Sequence, residues 1–174
     1  MKTRQSHKFK MDHGVTVGII AIVINLITVS VYIYQANIME KQQYAAAWPY
    51  LEWLLICNQE EGLKLEVKNN GVGPAIINNT TVQLNGQSLN LDSLLNYIAG
   101  TNNFPRLTSV IKNRVLPANG SIRPFQIKNI AWAERMYYEL VAQKFEYKIC
   151  YESIYGQQWV SSGTTVEEKN CDGN

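Results

Sequence analysis

The most prominent pattern in the chain is an uninterrupted apolar run near the amino terminus. Residues 14–33 contain no charged side chain. At about 1.5 Å of rise per residue, a helix of that length spans roughly 30 Å, the thickness of the hydrocarbon core of a bilayer. A helix packed inside a soluble domain normally keeps a polar face, and this segment has almost none. We therefore predict a transmembrane helix over residues 14–34.

A cleaved signal peptide is the main alternative, because it also begins with basic residues and an apolar stretch. Its apolar core normally covers about 7–15 residues and is followed directly by a small-residue cleavage site. Here the apolar run is longer, and the nearest A-x-A motif, Ala45 to Ala47, lies well downstream. An uncleaved anchor is favoured.

Small and polar residues recur along one side of the predicted span. Their spacing of three or four positions places them on one helical stripe: Gly14, Gly18, Ala21, Asn25, Thr28 and Tyr32. Such a stripe lets a second helix approach closely and offers the Asn25 carboxamide a hydrogen-bond partner that lipid tails lack. We predict a helix contact through Gly14, Gly18, Ala21, Asn25 and Thr28. The alternative is that a single Asn is tolerated in the bilayer without a partner.

The pattern changes after the span. Residues 35–48 hold strong helix formers and no glycine, which predicts a helical stalk that ends near Pro49. Residues 49–168 hold short β-branched and aromatic runs between turn residues, which is typical of a β-sandwich. The predicted strands are residues 50–57, 63–69, 80–84, 109–115, 121–127, 145–153 and 159–166. Two short helices are also predicted, one capped by Asp92 and ending before Gly100, the other over residues 131–143.

Charge is distributed unevenly along the chain. The first 12 residues carry a net charge of +3, whereas residues 40–174 carry 12 basic and 13 acidic side chains. A near-neutral body lacks the basic face that nucleic acid requires, so we predict no nucleic-acid partner. The positive-inside rule places a basic tail, residues 1–13, in the cytoplasm and the β-sandwich outside. Residues 169–174 are predicted to form a flexible tail.

Three segments of the β-region carry a further pattern. They are LEVKNNGVGPAI at residues 65–76, VLPANGSI at 115–122 and FEYKICYESIYG at 145–156. Together they resemble bacterial single-pass membrane-anchored proteins that have an immunoglobulin-like β-sandwich and an N-x-G-x-G-P-A motif. The resemblance implies an immunoglobulin-like antiparallel fold and an interaction domain without assigned chemistry. Within the motif, we expect Gly71 and Gly73 to take positive φ.

Residues suited to catalysis are scarce. The two histidines, His7 and His13, both precede the span, which excludes Ser-His-Asp triads and His-based zinc sites from the β-region. The adjacent carboxylates Glu60 and Glu61 fall in a predicted turn and are interpreted as a solvated pair. We predict no catalytic residues, no cofactor, no metal ligand and no enzymatic activity.

The three cysteines allow at most one disulfide within the chain. An oxidising compartment permits a bridge between Cys57 and Cys150. However, Cys150 alternates with apolar neighbours and shares the face of Lys148 and Glu152, which favours exposure. Cys171 lies in the polar tail and is expected to be free.

A cluster of aromatic residues follows the stalk. Trp48, Tyr50 and Trp53 form a candidate surface for a protein partner or a ligand. The alternative is that these rings seat the domain on lipid headgroups and fill its core. The predicted partners are the lipid bilayer and either a second copy or another membrane subunit.

The sequence predicts a non-enzymatic membrane-anchored assembly or adaptor subunit. The alternative is an extracytoplasmic module that recognises a ligand or glycan. An enclosed aromatic-lined pocket would favour ligand recognition, and a flat or edge-strand surface would favour assembly.

Overall fold

The computed structural model describes residues 13–171, so the basic tail at residues 1–12 and the last three residues lie outside the described part. The chain divides into a helical unit that ends at Gln43 and a β-rich unit, here called the β-domain, that begins at Tyr44. The elements follow in the order α1 His13–Ala46, β1 Leu51–Asn58, β2 Gly62–Asn69, β3 Ala75–Leu84, β4 Gln87–Leu89, α2 Leu91–Ala99, β5 Leu107–Thr108, β6 Arg114–Leu116, β7 Ser121–Ile127, α3 Ile130–Ala142, β8 Glu146–Glu152, β9 Gln158–Ser162 and β10 Thr165–Glu168.

Helix α1 is long and apolar enough to cross a membrane. Its 34 residues extend over about 51 Å, and none of them is buried by the protein. The segment lacks proline, so nothing in its sequence interrupts the backbone hydrogen bonds before Pro49. One continuous helix therefore covers both the predicted span and most of the predicted stalk.

Two antiparallel sheets form the β-domain. The first has the strand order β1-β2-β7-β5, and the second has the order β10-β9-β8-β3-β4, with β6 also paired to β3. The turn between β3 and β4 consists of Asn85 and Gly86, whose φ values are 50° and 80°. Positive φ at both positions matches the right-handed twist of the flanking strands. The predicted fold class, an apolar N-terminal helix followed by a mainly β domain, is confirmed.

The core lies between the two sheets and is closed by α2 and α3. Along β8 the buried residues Tyr147, Ile149 and Tyr151 alternate with half-buried Lys148 and Cys150, as the sequence predicts. The largest fully buried side chains are Tyr147, Tyr151, Phe125, Leu51, Leu63, Leu65, Ile77, Leu94, Leu95, Ile127, Met136 and Leu140. Removing each of these from water contributes roughly 1.5–3 kcal/mol, so burial is the main stabilising contribution.

Two buried tyrosines bring hydroxyl groups into this core. The Tyr151 hydroxyl accepts a hydrogen bond from the backbone N–H of Leu51 at 3.3 Å and so joins the second sheet to the first. Burial raises the pKa of both Tyr147 and Tyr151 to about 12. Both hydroxyls therefore stay protonated at physiological pH, because the charged form is disfavoured away from water.

The two short helices have asparagine caps. The side chain of Asn90 accepts from the N–H of Asp92 at 2.9 Å, so the prediction that Asp92 caps α2 is wrong. Asp92 lies instead in the first turn, where its carboxylate complements the helix dipole. Gly100 ends the helix in the left-handed conformation with φ of 68°, as predicted. Asn129 caps α3 in the same way as Asn90 caps α2.

The strand predicted over residues 80–84 begins five residues earlier, at Ala75, and two other predicted strands are wrong in extent because they contain a turn. Residues 109–115 do not form one strand, because Asn113 takes φ of 60° and only residues 114–116 pair with β3. Residues 159–166 form two strands, because Gly163 with φ of 73° turns the chain between β9 and β10. In both places a single residue at positive φ reverses the backbone direction inside a run of β-forming residues.

Candidate functional site

The first candidate site is the stripe on α1. Gly14 and Gly18 have no atom within 4 Å of the position of an added side chain. The Asn25 side-chain amide donates to the carbonyl of Ala21 at 2.9 Å. This bond lies within the helix itself, so the carboxamide oxygen has no partner among the described residues.

Two hydroxyl groups of α1, those of Thr28 and Ser30, behave differently from Asn25. Thr28 donates to the Ile24 carbonyl at 2.8 Å, and Ser30 donates to the Leu26 carbonyl at 2.9 Å. A hydroxyl has a single hydrogen to donate, and each of these is used within the helix. Asn25 therefore differs from its polar neighbours, because its second N–H and its carbonyl oxygen stay available.

The second candidate site is the aromatic cluster after the stalk. The rings of Trp48 and Tyr50 meet edge-on with centroids 5.4 Å apart, and 45% of Trp48 is exposed. Trp53 lies apart from them. It packs on the core side of β1 against Phe145 and Tyr147, with ring centroids 5.9 Å and 6.2 Å away. The structure thus brings two of the three predicted residues together on a surface.

Sequence reasoning missed a buried hydrogen-bond cluster centred on Asn69. This side chain is fully buried. Its amide donates to the carbonyls of Gly73 at 2.8 Å, Leu116 at 3.1 Å and Pro117 at 3.2 Å. Its carbonyl oxygen accepts from the N–H of Gly71 at 3.0 Å. Asn69 therefore joins the N-x-G-x-G-P-A motif to the L-P-A-N-G turn, two of the three segments that carry the resemblance.

The same cluster holds the chain where it enters the β-domain. The N–H of Tyr50 donates to the Asn69 side-chain oxygen at 3.2 Å. The N–H groups of Val72 and Gly73 both donate to the carbonyl of Trp48, at 3.0 Å and 3.2 Å. With a fourth bond, from the Asn70 N–H to the Tyr50 carbonyl at 2.8 Å, these hydrogen bonds fix residues 48–50 against Asn69 and the loop that follows β2.

The two motif glycines have a different role from the one predicted. The glycines at positive φ are Gly62, Gly86, Gly100, Gly156 and Gly163, so the expectation for Gly71 and Gly73 is wrong. A side chain at Gly71 would lie 2.5 Å from the Trp48 carbonyl oxygen, and one at Gly73 would lie 2.1 Å from that of Ala47. Close approach of another backbone, rather than an unusual φ, requires glycine at both positions.

The cysteine pairing differs from both alternatives in the sequence analysis. Cys150 forms a disulfide with Cys171, with α-carbons 5.8 Å apart, and Cys57 is free. The bridge that the sequence permits between Cys57 and Cys150 is therefore not formed, and the expectation of a free Cys171 is wrong. The N–H of Cys171 also donates to the Gln158 side chain at 2.8 Å, so the segment at residues 169–171 lies against β8 and β9.

A charge cluster occupies the outer face of the first sheet. The Lys64 side chain is only 6% exposed and contacts both Glu61 and Glu66, the latter at 3.3 Å. Arg123 lies 3.3 Å from Glu61. The hydrogen bond from Lys64 is the main cause that lowers the pKa of the Glu61 carboxyl. Glu61 is therefore ion-paired, which corrects the interpretation of Glu60 and Glu61 as a solvated pair.

A cleft between β3, β8 and the start of α2 is one place where a small ligand could bind. It has a volume of about 260 Å³, and its lining includes Thr80, Asn90, Asp92, Lys112 and Tyr147. Among residues 13–171, no three His, Cys, Asp or Glu side chains lie close enough together to hold a metal ion. The predictions that the protein has no cofactor and is not an enzyme stay predictions.

The comparisons with known proteins agree with the extent of the fold. No curated protein and no solved structure matches the chain. A family model matches residues 14–169, which run from the second residue of α1 to the residue after β10. The chain therefore belongs to the family described as "Domain of unknown function (DUF8453)".

Proposed function

We propose that this protein is a non-enzymatic, membrane-anchored assembly or adaptor subunit. In this proposal α1 crosses the membrane with its amino terminus in the cytoplasm, and contacts are made through α1 and through an outward β-domain. The partner is a second copy or another membrane subunit. The observation that carries the proposal is the unused hydrogen-bonding capacity of Asn25 in an otherwise apolar helix.

The chemistry of a carboxamide explains why Asn25 favours a partner. An asparagine side chain has two N–H donors and a carbonyl with two acceptor sites, and Asn25 uses one donor on Ala21. In hydrocarbon no water satisfies the remaining groups, so a polar group on a neighbouring helix is the favoured partner. The small residues Gly14, Gly18 and Ala21 on the same stripe allow that helix to approach closely.

The outward orientation has independent support from the cysteines. Disulfides form and persist in oxidising compartments and are rare in the reducing cytosol. The bridge between Cys150 and Cys171 supports a β-domain on the oxidising side of the membrane. This argument does not depend on the positive-inside rule, which uses only the basic residues that precede α1.

Crosslinking of the full-length protein in its native membrane tests the proposal. Wild type, Asn25→Leu and Ser30→Leu are compared, and every crosslinked species is identified by mass. Ser30 is a matched control, because it is also a polar residue of α1, but its hydroxyl is already bonded to Leu26. We expect one recurrent product in wild type and Ser30→Leu that is strongly reduced in Asn25→Leu. Only monomers in all three, or equal yields in all three, would contradict the proposal.

Ligand recognition is the second candidate function, and the cleft beside Tyr147 favours it. Its volume of about 260 Å³ is slightly below the roughly 300–1,000 Å³ that is usual for small-molecule sites. Its lining mixes threonine, asparagine and lysine with apolar side chains. A ligand screen by thermal shift, repeated on Thr80→Val, is the test: a ligand of this cleft raises the Tm of wild type and loses that effect in the variant.

A further inference from the structure

Tyr97 is an aromatic residue on the exposed side of α2. The buried residues of this helix are Leu94, Leu95, Ile98 and Ala99, whereas Tyr97 is 68% exposed. Tyr138 is similarly exposed but packs on Tyr137, with ring centroids 5.8 Å apart; Tyr97 has no aromatic neighbour in the described part of the chain. A single exposed aromatic side chain is ordinary on a protein surface, so the surroundings of Tyr97 decide whether it has a role.

Tyr97 lines a first cavity of about 340 Å³. Polar side chains from three elements line it as well: Ser93 of α2, Asn85 and Gln87 of the hairpin between β3 and β4, and Gln143 at the end of α3. The N–H of Asn85 donates to the Gln143 carbonyl at 2.9 Å, which joins the hairpin to α3. The fold therefore holds several polar groups in one cavity with an exposed aromatic ring.

Tyr97 also lines a second cavity, of about 490 Å³, which shares Ser93 and Tyr97 with the first. Its other polar lining residues are Asn96, Thr101 and Asn102. The side-chain carbonyl of Asn96 accepts from Arg106 at 2.8 Å. This bond holds the carboxamide in place, and its two N–H groups have no partner among the described residues, so they remain available as donors.

The two cavities present hydrogen-bonding groups of both kinds without charge. The Gln143 side-chain amide donates to Glu139 at 3.0 Å, so its carbonyl oxygen remains as an acceptor, whereas Asn96 offers donors. Neither lining contains Asp, Glu, Lys or Arg, although 17% of the chain is charged. The cleft beside Tyr147, by contrast, has both an acidic and a basic lining residue. The surface around Tyr97 therefore suits a neutral ligand.

The chemistry of these linings narrows the ligand class. Amide and hydroxyl side chains match a ligand whose groups both donate and accept, as hydroxyl groups do. A tyrosine ring adds a flat apolar face with a polar edge, and Tyr with Ser and Asn is a recurring composition of binding surfaces. A sugar is complementary, since hydroxyl groups surround its ring and one face of the ring carries C–H groups. An extended peptide fits less well, because the edge strand β4 has only three residues for strand addition.

We propose that Tyr97 and the two adjoining cavities bind a neutral saccharide, with one sugar ring stacked on the Tyr97 ring. This inference rests on the second candidate function, ligand recognition. It gives that function a ligand class and a site that shares only Leu89 with the lining of the cleft beside Tyr147. Each cavity has a volume within the roughly 300–1,000 Å³ that is usual for small-molecule sites, so an oligosaccharide can occupy both.

Saturation-transfer difference NMR on the full-length protein tests the proposal, because it detects weakly bound sugars through the protons that contact the protein. The neutral probes are maltotetraose, cellotetraose and chitotetraose, and the charged probe is tetragalacturonate. The protein is held in lauryl dimethylamine oxide micelles, because maltoside detergents carry a sugar that would compete. Wild type, Tyr97→Ser, Tyr97→Phe, Tyr138→Ser and Thr80→Val are compared. Tyr138 is the matched control, since it is 72% exposed and lines neither cavity.

We expect at least one neutral tetrasaccharide to bind wild type, Tyr97→Phe and Tyr138→Ser with similar Kd values, because all three proteins keep an aromatic ring at residue 97. In Tyr97→Ser the stacking surface is lost, and the Kd should rise about tenfold. An unchanged Kd in Tyr97→Ser would overturn the proposal. So would the absence of binding by every neutral probe, or tighter binding of tetragalacturonate than of any neutral probe.

The Thr80→Val variant separates this inference from ligand recognition itself. A saccharide signal that is lost in Thr80→Val and retained in Tyr97→Ser overturns the Tyr97 site but supports recognition at the cleft beside Tyr147. If no neutral probe binds wild type, the saccharide site fails, while the thermal-shift screen with Thr80→Val still decides whether the cleft takes another ligand. A wild-type Tm in every variant ensures that a lost signal reports on the site and not on unfolding.

Discussion

Gly73 lies so close to Ala47 that a side chain at residue 73 would meet the Ala47 carbonyl oxygen at 2.1 Å. Gly71 stands in the same relation to Trp48. The N-x-G-x-G-P-A motif therefore packs directly against residues 47–50, the segment through which the chain enters the β-domain. Its first residue, Asn69, is hydrogen-bonded both to Tyr50 of that segment and to Gly73 of the motif. Its two glycines leave room for the close approach of the two backbones.

Replacing Gly73 should weaken the packing of the motif against residues 47–50. We expect Gly73→Ala to lower the free energy of unfolding by about 1–3 kcal/mol, because the added methyl group forces two backbones apart. Urea denaturation of the full-length protein in detergent micelles, followed by tryptophan fluorescence, measures the loss. Val72→Ala is the control, since that side chain is 65% exposed and its loss should change stability by at most about 0.5 kcal/mol. Equal midpoints for the two variants would contradict the steric argument.

Replacement of Asn69 should lower the stability of the protein more than replacement of its neighbour Asn70. Asn69→Ala leaves the Gly71 N–H and the Gly73 carbonyl without their partner, and each buried group left unpaired costs about 1–3 kcal/mol. Asn69→Asp should also destabilise, because it places a carboxylate oxygen against the carbonyls that now accept from the amide. The exposed Asn70→Ala is the control in the same urea titration. Wild-type stability of Asn69→Asp at pH 7 would exclude the donor role.

The disulfide between Cys150 and Cys171 should affect both the stability of the protein and the number of its cysteines that can be alkylated. Cys150 and Cys171 are 21 residues apart, and opening a loop of that size costs about 3 kcal/mol in the chain-entropy model. We expect Cys150→Ser to lose about that much stability, whereas Cys57→Ser, which removes the free thiol, serves as the control. Alkylation of protein from the native membrane, followed by mass measurement, should label one cysteine without reductant and three with it. Three labelled cysteines without reductant would exclude the bridge.

The charge cluster makes stability depend on pH in a defined direction. Lys64 lowers the pKa of Glu61 below its unfolded value of about 4.3. The carboxylate therefore stabilises the fold fully above that pH, and this contribution is lost as the pH falls through the lower, folded-state pKa. We expect Glu61→Gln to have a lower Tm than wild type at pH 7 and the difference to shrink steadily towards pH 3. Glu60→Gln, at an exposed residue, is the control. A Tm difference that grows on acidification would contradict the ion pair.

The parts of the fold that depend on local pattern were predictable. The long apolar helix follows from 20 uncharged residues, the alternation along β8 follows from a period of two, and the turn at Asn85 and Gly86 follows from local backbone preference. The aromatic pair of Trp48 and Tyr50 belongs to the same class, because the two residues are near neighbours in the chain.

The parts of the fold that depend on long-range contacts were not predictable from the sequence. Cys150 pairs with Cys171 rather than with Cys57 because the chain after β10 returns across β8 and β9. The glycines at residues 71 and 73 serve close approach because residues 47–50 lie against them.

The sequence by itself determined the long apolar N-terminal helix, the mainly β character of residues 49–168 and the absence of histidine from that region. Tertiary structure decided which residues meet: the contacts of Asn69, the cysteine pairing, and the close approach of residues 47–50 to Gly71 and Gly73. The physical reason is that hydrophobic periodicity is set within a few residues of each position. Side chains far apart in the chain meet only where strand order and direction bring them together.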